Sequence, residues 1–177
     1  MKACCLKKPK IWPLCVLAAF LILAILVYVF QLTINLTESI RVGVYAKSFG
    51  AIHRGDLVAL CLPYKNKKLG LERHYLIAGT ACNGSAPLLK QAIAVPGDHV
   101  QLTANFIEVN GKRYAYATER KDPLGRILNS YQKGDYIDSQ SYWLVGNHSP
   151  HSWDSRYWGP LPRSLILYRI KPLLMFE

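Results

Sequence analysis

Three short segments of this 177-residue chain combine residue types that can do chemistry. In Leu88-Leu89-Lys90-Gln91-Ala92-Ile93-Ala94-Val95, read as a strand, one face carries Leu88, Lys90, Ala92 and Ala94. A lone cation among small apolar neighbours is costly unless it is paired or neutral. Burial lowers a lysine pKa, and a neutral amine can serve as a general base. The strand alone fits equally an edge position from which Lys90 snorkels into water. The second segment, Asn35-Leu36-Thr37-Glu38-Ser39-Ile40-Arg41-Val42-Gly43-Val44-Tyr45, contains Ser39, nine residues beyond Phe30. The third runs from Ser149 to Pro160 and alternates polar and charged residues with aromatics. In it Asp154 and Arg156 are placed to form a bidentate ion pair, the alternative being a rigid surface turn.

Other chemistries lack support. No G-x-S-x-G elbow accompanies the five histidines, His53, His74, His99, His148 and His151, so a Ser-His-Asp hydrolase site is not indicated. There is no C-x-x-C or H-x-x-x-H spacing, and His148 with His151 are too few ligands for a metal. No cofactor is implied, and chelators should not inhibit.

The elements that must position these residues read mostly as strands. Leu57 to Leu62 follows Arg54-Gly55-Asp56 and ends at Pro63; Leu88 to Val95 ends at the turn Pro96-Gly97-Asp98. Val100 to Thr103 and Phe106 to Val109 follow, and Asn110-Gly111 is a hairpin signal before Arg113 to Ala117. Tyr142 to Val145 and Leu165 to Ile170 read as later strands, and residues 118 to 140 as a long irregular insertion. Lys65, Lys67 and Lys68 read as a solvated loop able to touch anionic lipid headgroups. No internal repeat and no long helical periodicity appear after residue 30, so the domain is expected to be mainly β.

The N-terminal region differs. Lys2, Lys7, Lys8 and Lys10 make residues 1–10 a basic tip, and residues 11–30 contain no charge and no Gln, Asn, Ser or Thr. Twenty helical residues rise roughly 30 Å, the thickness of a bilayer hydrocarbon core. The stretch is too long for the apolar part of a cleaved signal peptide and leaves through Val27-Tyr28-Val29-Phe30 without a small-x-small site. Trp12-Pro13-Leu14 is too bulky for lipoprotein processing at Cys15. An uncleaved transmembrane anchor is expected, with the basic tip cytoplasmic and residues 31–177 on the outer side. Ser39 then lies within about 30 Å of the membrane, since an extended chain spans at most about 3.6 Å per residue. Part of the net charge of +11 remains outside, but no basic helix, zinc finger or aromatic platform motif points to nucleic acid. Cys61 and Cys82 are then the external cysteines; an oxidising compartment favours joining them, the alternative being two buried free thiols.

Together the three segments resemble the type I signal peptidase (leader peptidase) family, and most closely its conjugative-transfer branch, the TraF-type peptidases. The resemblance spans the chain, from basic tip and single anchor through the motifs in family order. Ser39-Ile40-Arg41-Val42-Gly43-Val44-Tyr45 matches the branch's Ser-x-Pro-x-Gly-x-Tyr box except at Arg41. Arg54-Gly55-Asp56-Leu57-Val58 is similar to the family's strand-entry motif, Pro87 to Asp98 to its lysine box, and Ser152 to Gly159 to its C-terminal box. Cys61 and Cys82 fall where this branch tends to carry cysteines.

The resemblance implies a signal-peptidase-like β domain with one N-terminal transmembrane helix, and a serine endopeptidase. Ser39 would be the nucleophile and Lys90 the general base. The Ser39 backbone N–H and the Thr37 hydroxyl would hold the oxyanion, Ser152 would orient the Lys90 amine, and Asp154 with Arg156 would fix the loop. The expected substrate is a membrane-tethered, pilin-like precursor in conjugative transfer, released by hydrolysis or by head-to-tail cyclisation, with the lipid bilayer and a transfer apparatus as partners and no nucleic acid. The implied location is the bacterial inner membrane, with the catalytic domain periplasmic. A general type I signal peptidase for exported preproteins and a catalytically inactive scaffold of the transfer apparatus are the alternatives.

Overall fold

The computed structural model describes residues 12–30, 32–114, 118–137 and 139–176. The basic tip, with Cys4 and Cys5, lies outside the described residues. The chain divides into two compact units, Met1–Leu32 and Thr33–Glu177.

The first unit contains α1, Trp12–Phe30, a 19-residue helix apolar on every side. Its described large side chains, including Trp12, Leu17, Phe20 and Leu23, are exposed. Among the described residues no helix is long and apolar enough to cross a membrane. Residue 11 and the side chains of residues 26 and 28–30, part of the segment expected as the anchor, fall outside that set.

The second unit is mainly β, as expected. Along the chain come β1 (Thr33–Asn35), β2 (Gly43–Ser48), β3 (Leu57–Leu60), α2 (Tyr64–Glu72), β4 (Ala78–Gly79), β5 (Gly84–Ser85) and β6 (Leu88–Ala94). They continue with β7 (His99–Leu102), β8 (Ile107–Val109), β9 (Lys112–Tyr114), β10 (Gly134–Ile137), β11 (Ser141–Val145), α3 (Ser155–Trp158), β12 (Leu161–Pro162) and β13 (Ile166–Met175). The main sheet has the order β1-β2-β13-β3-β6-β11-β12, and β10-β7-β8-β9 form a second sheet. All of these pairings are antiparallel.

Strand β6 is central, with Lys90 opposite Val58 of β3 and Ala92 opposite Leu144 of β11. The edge-strand reading of Lys90 therefore fails. The β8–β9 hairpin turns at Asn110 and Gly111, both at positive φ, as its tight two-residue turn requires. Its second strand is described only to Tyr114, residues 115–117 lying outside the described set.

Three expectations are corrected. The lysine-rich segment is a helix, α2, and Lys67 Nζ donates to the carbonyls of Cys82 (3.1 Å) and Asn83 (2.9 Å) rather than standing in a free loop. The 118–140 insertion contributes β10, held because Tyr136 packs with Tyr131 and Trp143. The last strand, expected over Leu165 to Ile170, runs from Ile166 on to Met175 as β13.

The core beneath the Ser39 turn consists of Ile40, Tyr45, Ala59, Leu89 and Ile170. Burying a side chain such as Ile40 stabilises by roughly 1.5–3 kcal/mol, enough to seat the turn on the sheet. A larger cluster, with Leu60, Leu144, Tyr157 and Trp158, underlies α3, and a third joins β6 and β11 to the second sheet. Cys61, directly after β3, is disulfide-bonded to Cys82, between β4 and β5. The bond closes a loop of sequence separation 21, a constraint worth about 3 kcal/mol in the chain-entropy model.

Candidate active site

Strand β6 delivers Lys90 into the interior, where it is 1% exposed. Its Nζ lies 2.6 Å from Ser39 Oγ and 2.6 Å from Ser152 Oγ, and the two hydroxyls are 3.3 Å apart. Residues 51 and 62 positions apart thus meet the amine, with each heavy-atom separation in hydrogen-bond range. Burial pushes the Lys90 ammonium down to about 8; nearby Asp154 opposes this and nearby Arg156 assists it. At pH 7 roughly a tenth of such a group is neutral, since one pH unit is a factor of ten.

The Ser39 turn is held by one side chain. Asn35, 4% exposed at the end of β1, donates from Nδ2 to the carbonyls of Thr37 (2.8 Å), Ile40 (3.1 Å) and Arg41 (3.0 Å). Its Oδ1 accepts from the Thr37 N–H (3.2 Å) and the Thr37 hydroxyl (2.8 Å). Tyr45 donates its hydroxyl to the Arg41 carbonyl at 2.6 Å, and the His148 N–H donates to the Ser39 carbonyl at 3.3 Å. The turn is therefore braced on both sides of Ser39 without a proline at position 41.

Ser152 is aimed by the loop that precedes α3. Asp154 and Arg156, both fully buried, pair side by side: Arg156 Nε to Oδ1 at 2.8 Å and an Arg156 terminal nitrogen to Oδ2 at 2.8 Å. The same guanidinium donates to the Ser152 carbonyl at 2.9 Å, and Asp154 Oδ1 caps α3 by accepting the Arg156 N–H at 3.1 Å. Asp154 Oδ2 also accepts the Gly146 N–H at 3.0 Å. The Asp154 carboxylate thus accepts four N–H bonds, and the paired Arg156 guanidinium offsets its pull on the lysine. Gly146 has to be a glycine, because a Cβ there would stand 2.1 Å from Ser152 Oγ and 2.9 Å from the Ser39 carbonyl.

One recess runs beside Thr37 and another opens at Ser39 itself. An apolar groove of about 180 Å³ is lined by Ile34, Leu36, Thr37, Pro87, Leu88 and Leu89, among others. That is smaller than the roughly 300–1,000 Å³ of pockets for whole small molecules and suits one or two side chains of an extended peptide. A second recess, of about 200 Å³, contains Glu38, Ser39, Ser149, His151 and Ser152. His151 Nδ1 lies 2.9 Å from Glu119, so it is tied to the insertion rather than to the amine.

The structure brings together Ser39, Lys90 and Ser152, with Thr37 in the same turn and Asp154 and Arg156 behind. Cys61 and Cys82 stand apart as the bonded pair. Sequence reasoning did not single out Asn35 or Gly146. Asn35 carried a readable sign, since an asparagine two residues before a threonine suits an Asx turn. Gly146 carried none, because its requirement arises only from the tertiary approach of Ser152.

Residues 9–174 match the family described as signal peptidase, peptidase S26, and the chain belongs to it. It is similar to a plasmid transfer protein TraF from Escherichia coli, 35% identical over 159 residues covering 88% of this chain and 90% of the relative. A second Escherichia coli plasmid transfer protein TraF is 32% identical over 163 residues, 88% of this chain and 89% of the relative. A crystal structure of a signal peptidase I from Enterococcus faecalis aligns over 70% of this chain and all of its own, with a TM-score of 0.41 and 17% identity.

Proposed function

We propose that this chain is a membrane-anchored serine endopeptidase in which Ser39 and Lys90 form the catalytic dyad. The observation that carries the reading is the position of the Lys90 amine, buried and 2.6 Å from Ser39 Oγ, with its pKa lowered toward working pH by burial. Neutral Lys90 takes the Ser39 proton as Oγ attacks the scissile carbonyl, then gives it to the leaving amine as the acyl-enzyme forms. Water, deprotonated by the same amine, hydrolyses the ester. If the precursor's own amine attacks instead, the product is cyclic. Ser152 holds the second direction of the amine. The Ser39 N–H and the Thr37 hydroxyl receive the oxyanion; Thr37 turns its hydroxyl from Asn35 to do so.

The substrate class is a membrane-tethered, pilin-like precursor handled in conjugative transfer. Similarity across nearly the whole length of two relatives named plasmid transfer protein TraF supports this over a general signal peptidase. An extended segment would add to β1, which stands at the open edge of the main sheet and lines the apolar groove. The uncharged 11–30 segment, helical over Trp12–Phe30 and apolar all round, supports a single-pass anchor in the bacterial inner membrane, since such a helix has to be buried in something. The lysines of residues 2–10 favour a cytoplasmic N-terminus, and the disulfide suits a periplasmic catalytic domain with access to a transfer apparatus.

Acid quenching of the enzyme during turnover of a candidate precursor tests the reading. Mass analysis should find the precursor's N-terminal fragment esterified to Ser39, and product lighter by one water if cyclisation resolves it. Turnover with an ester on another residue would refute the dyad.

A further inference from the structure

The groove beside Thr37 and the recess at Ser39 have one lining residue in common, Tyr75. A peptide lying in the groove with its scissile carbonyl over Ser39 therefore passes this ring. We propose that Tyr75 is the residue that sets the size of side chain accepted next to the cut, a specificity reading that rests on the peptidase function above.

The wall is built to be rigid. Tyr75 follows α2 through a helix-terminating motif: its N–H donates to the Gly70 carbonyl at 2.8 Å, and the His74 N–H donates to Leu71 at 3.2 Å. The motif requires a left-handed residue between, and His74 takes that role at φ 59°, a place usually given to glycine. From behind, the Tyr75 hydroxyl donates to the buried Asp122 carboxylate. Asp122 also accepts from the Leu124 and Arg126 N–H groups and from Arg126 Nε at 2.6 Å, so the insertion braces the ring. Trp153, next to Ser152, packs against the ring at 5.2 Å between centroids, and the Arg126 guanidinium lies 5.6 Å from it. The disulfide closes the whole segment onto the end of β3. A ring pinned by a hydroxyl, an indole and a helix end cannot swing aside, so a large side chain meets a fixed obstacle.

The test is a precursor series with Ala, Val, Leu or Phe before the cut, assayed with the full-length protein in vesicles of Escherichia coli polar lipid. Wild type should lose at least about 100-fold in kcat/KM from Ala to Phe, the scale on which a misfitting pocket contact discriminates. Tyr75→Ala should compress that ratio below about tenfold, whereas Tyr75→Phe and Asp122→Asn, which keep the ring but remove or weaken its hydroxyl brace, should both give intermediate ratios. Thermal melts establish that each variant folds, and Tyr75→Val replaces Tyr75→Ala if the latter does not. A wild-type ranking retained by folded Tyr75→Ala or Tyr75→Val overturns the proposal while leaving the dyad intact. A wild type inert on the whole series overturns the peptidase reading and this one with it.

Discussion

The Asn35 side chain donates to the Arg41 carbonyl at 3.0 Å, spanning the turn that presents Ser39. The same amide reaches Thr37 and Ile40, so one buried side chain holds the turn in the place where the resemblance leads one to expect a stiffening proline at 41. The nucleophile's presentation thus depends on side-chain hydrogen bonding rather than on a fixed φ.

Asn35→Ala should therefore damage both stability and rate. It strands the Thr37 N–H and hydroxyl in a part-buried site, costing about 1–3 kcal/mol, and frees the turn to drift. Misplacing a nucleophile by about 1 Å costs on the order of 100-fold. Denaturant melts and kcat/KM on one precursor check this. Wild-type kcat/KM in a folded Asn35→Ala protein would remove Asn35 from the positioning of Ser39.

Activity should follow the Lys90 amine. A base whose folded pKa is lowered to about 8 is protonated below that value and free above it. The kcat/KM should rise about tenfold per pH unit from pH 6 toward 8 and level off above. Lys90→Arg, which stays protonated at every accessible pH, should be inactive throughout. A flat wild-type profile between pH 5 and 9 would contradict a lysine base.

Asp154→Asn separates the loop's structural role from its electrostatic one. Arg156 would be left as a buried charge without its carboxylate, costing about 3–5 kcal/mol. Asp154 raises the Lys90 pKa, so its loss should also move the midpoint of any remaining activity to lower pH. A variant unchanged in melting temperature and pH midpoint would show that the pair supports neither the loop nor the amine.

How much of this could be read beforehand depends on where each residue's constraint lies. Ser39, Lys90, Ser152, Asp154 and Arg156 sit in boxes whose local spelling and order are distinctive, and Leu88 to Val95 is apolar enough to be a strand in any context. Read from its own strand, Lys90 stayed ambiguous, because only the pairing of β6 with both β3 and β11 makes the strand central. Helix α2 has a polar, lysine-rich sequence with no apolar stripe; its end motif at His74, the bonds from Lys67 and the disulfide hold it in place. Strand β10 rests on the packing of Tyr136 with Tyr131 and Trp143, residues that come together only in the fold. Tyr75 belongs with these, since its position between two recesses follows from α2 and the insertion jointly.

The most direct measurement is processing of a membrane-bound pilin-like precursor in vesicles by the wild type, Ser39→Ala and Lys90→Ala proteins, each shown to be folded and inserted. The account predicts cleavage by wild type and a loss of at least about 1,000-fold in both variants, the scale expected when a nucleophile or its base is removed. A folded, inserted variant that keeps the wild-type rate would contradict the Ser39–Lys90 dyad.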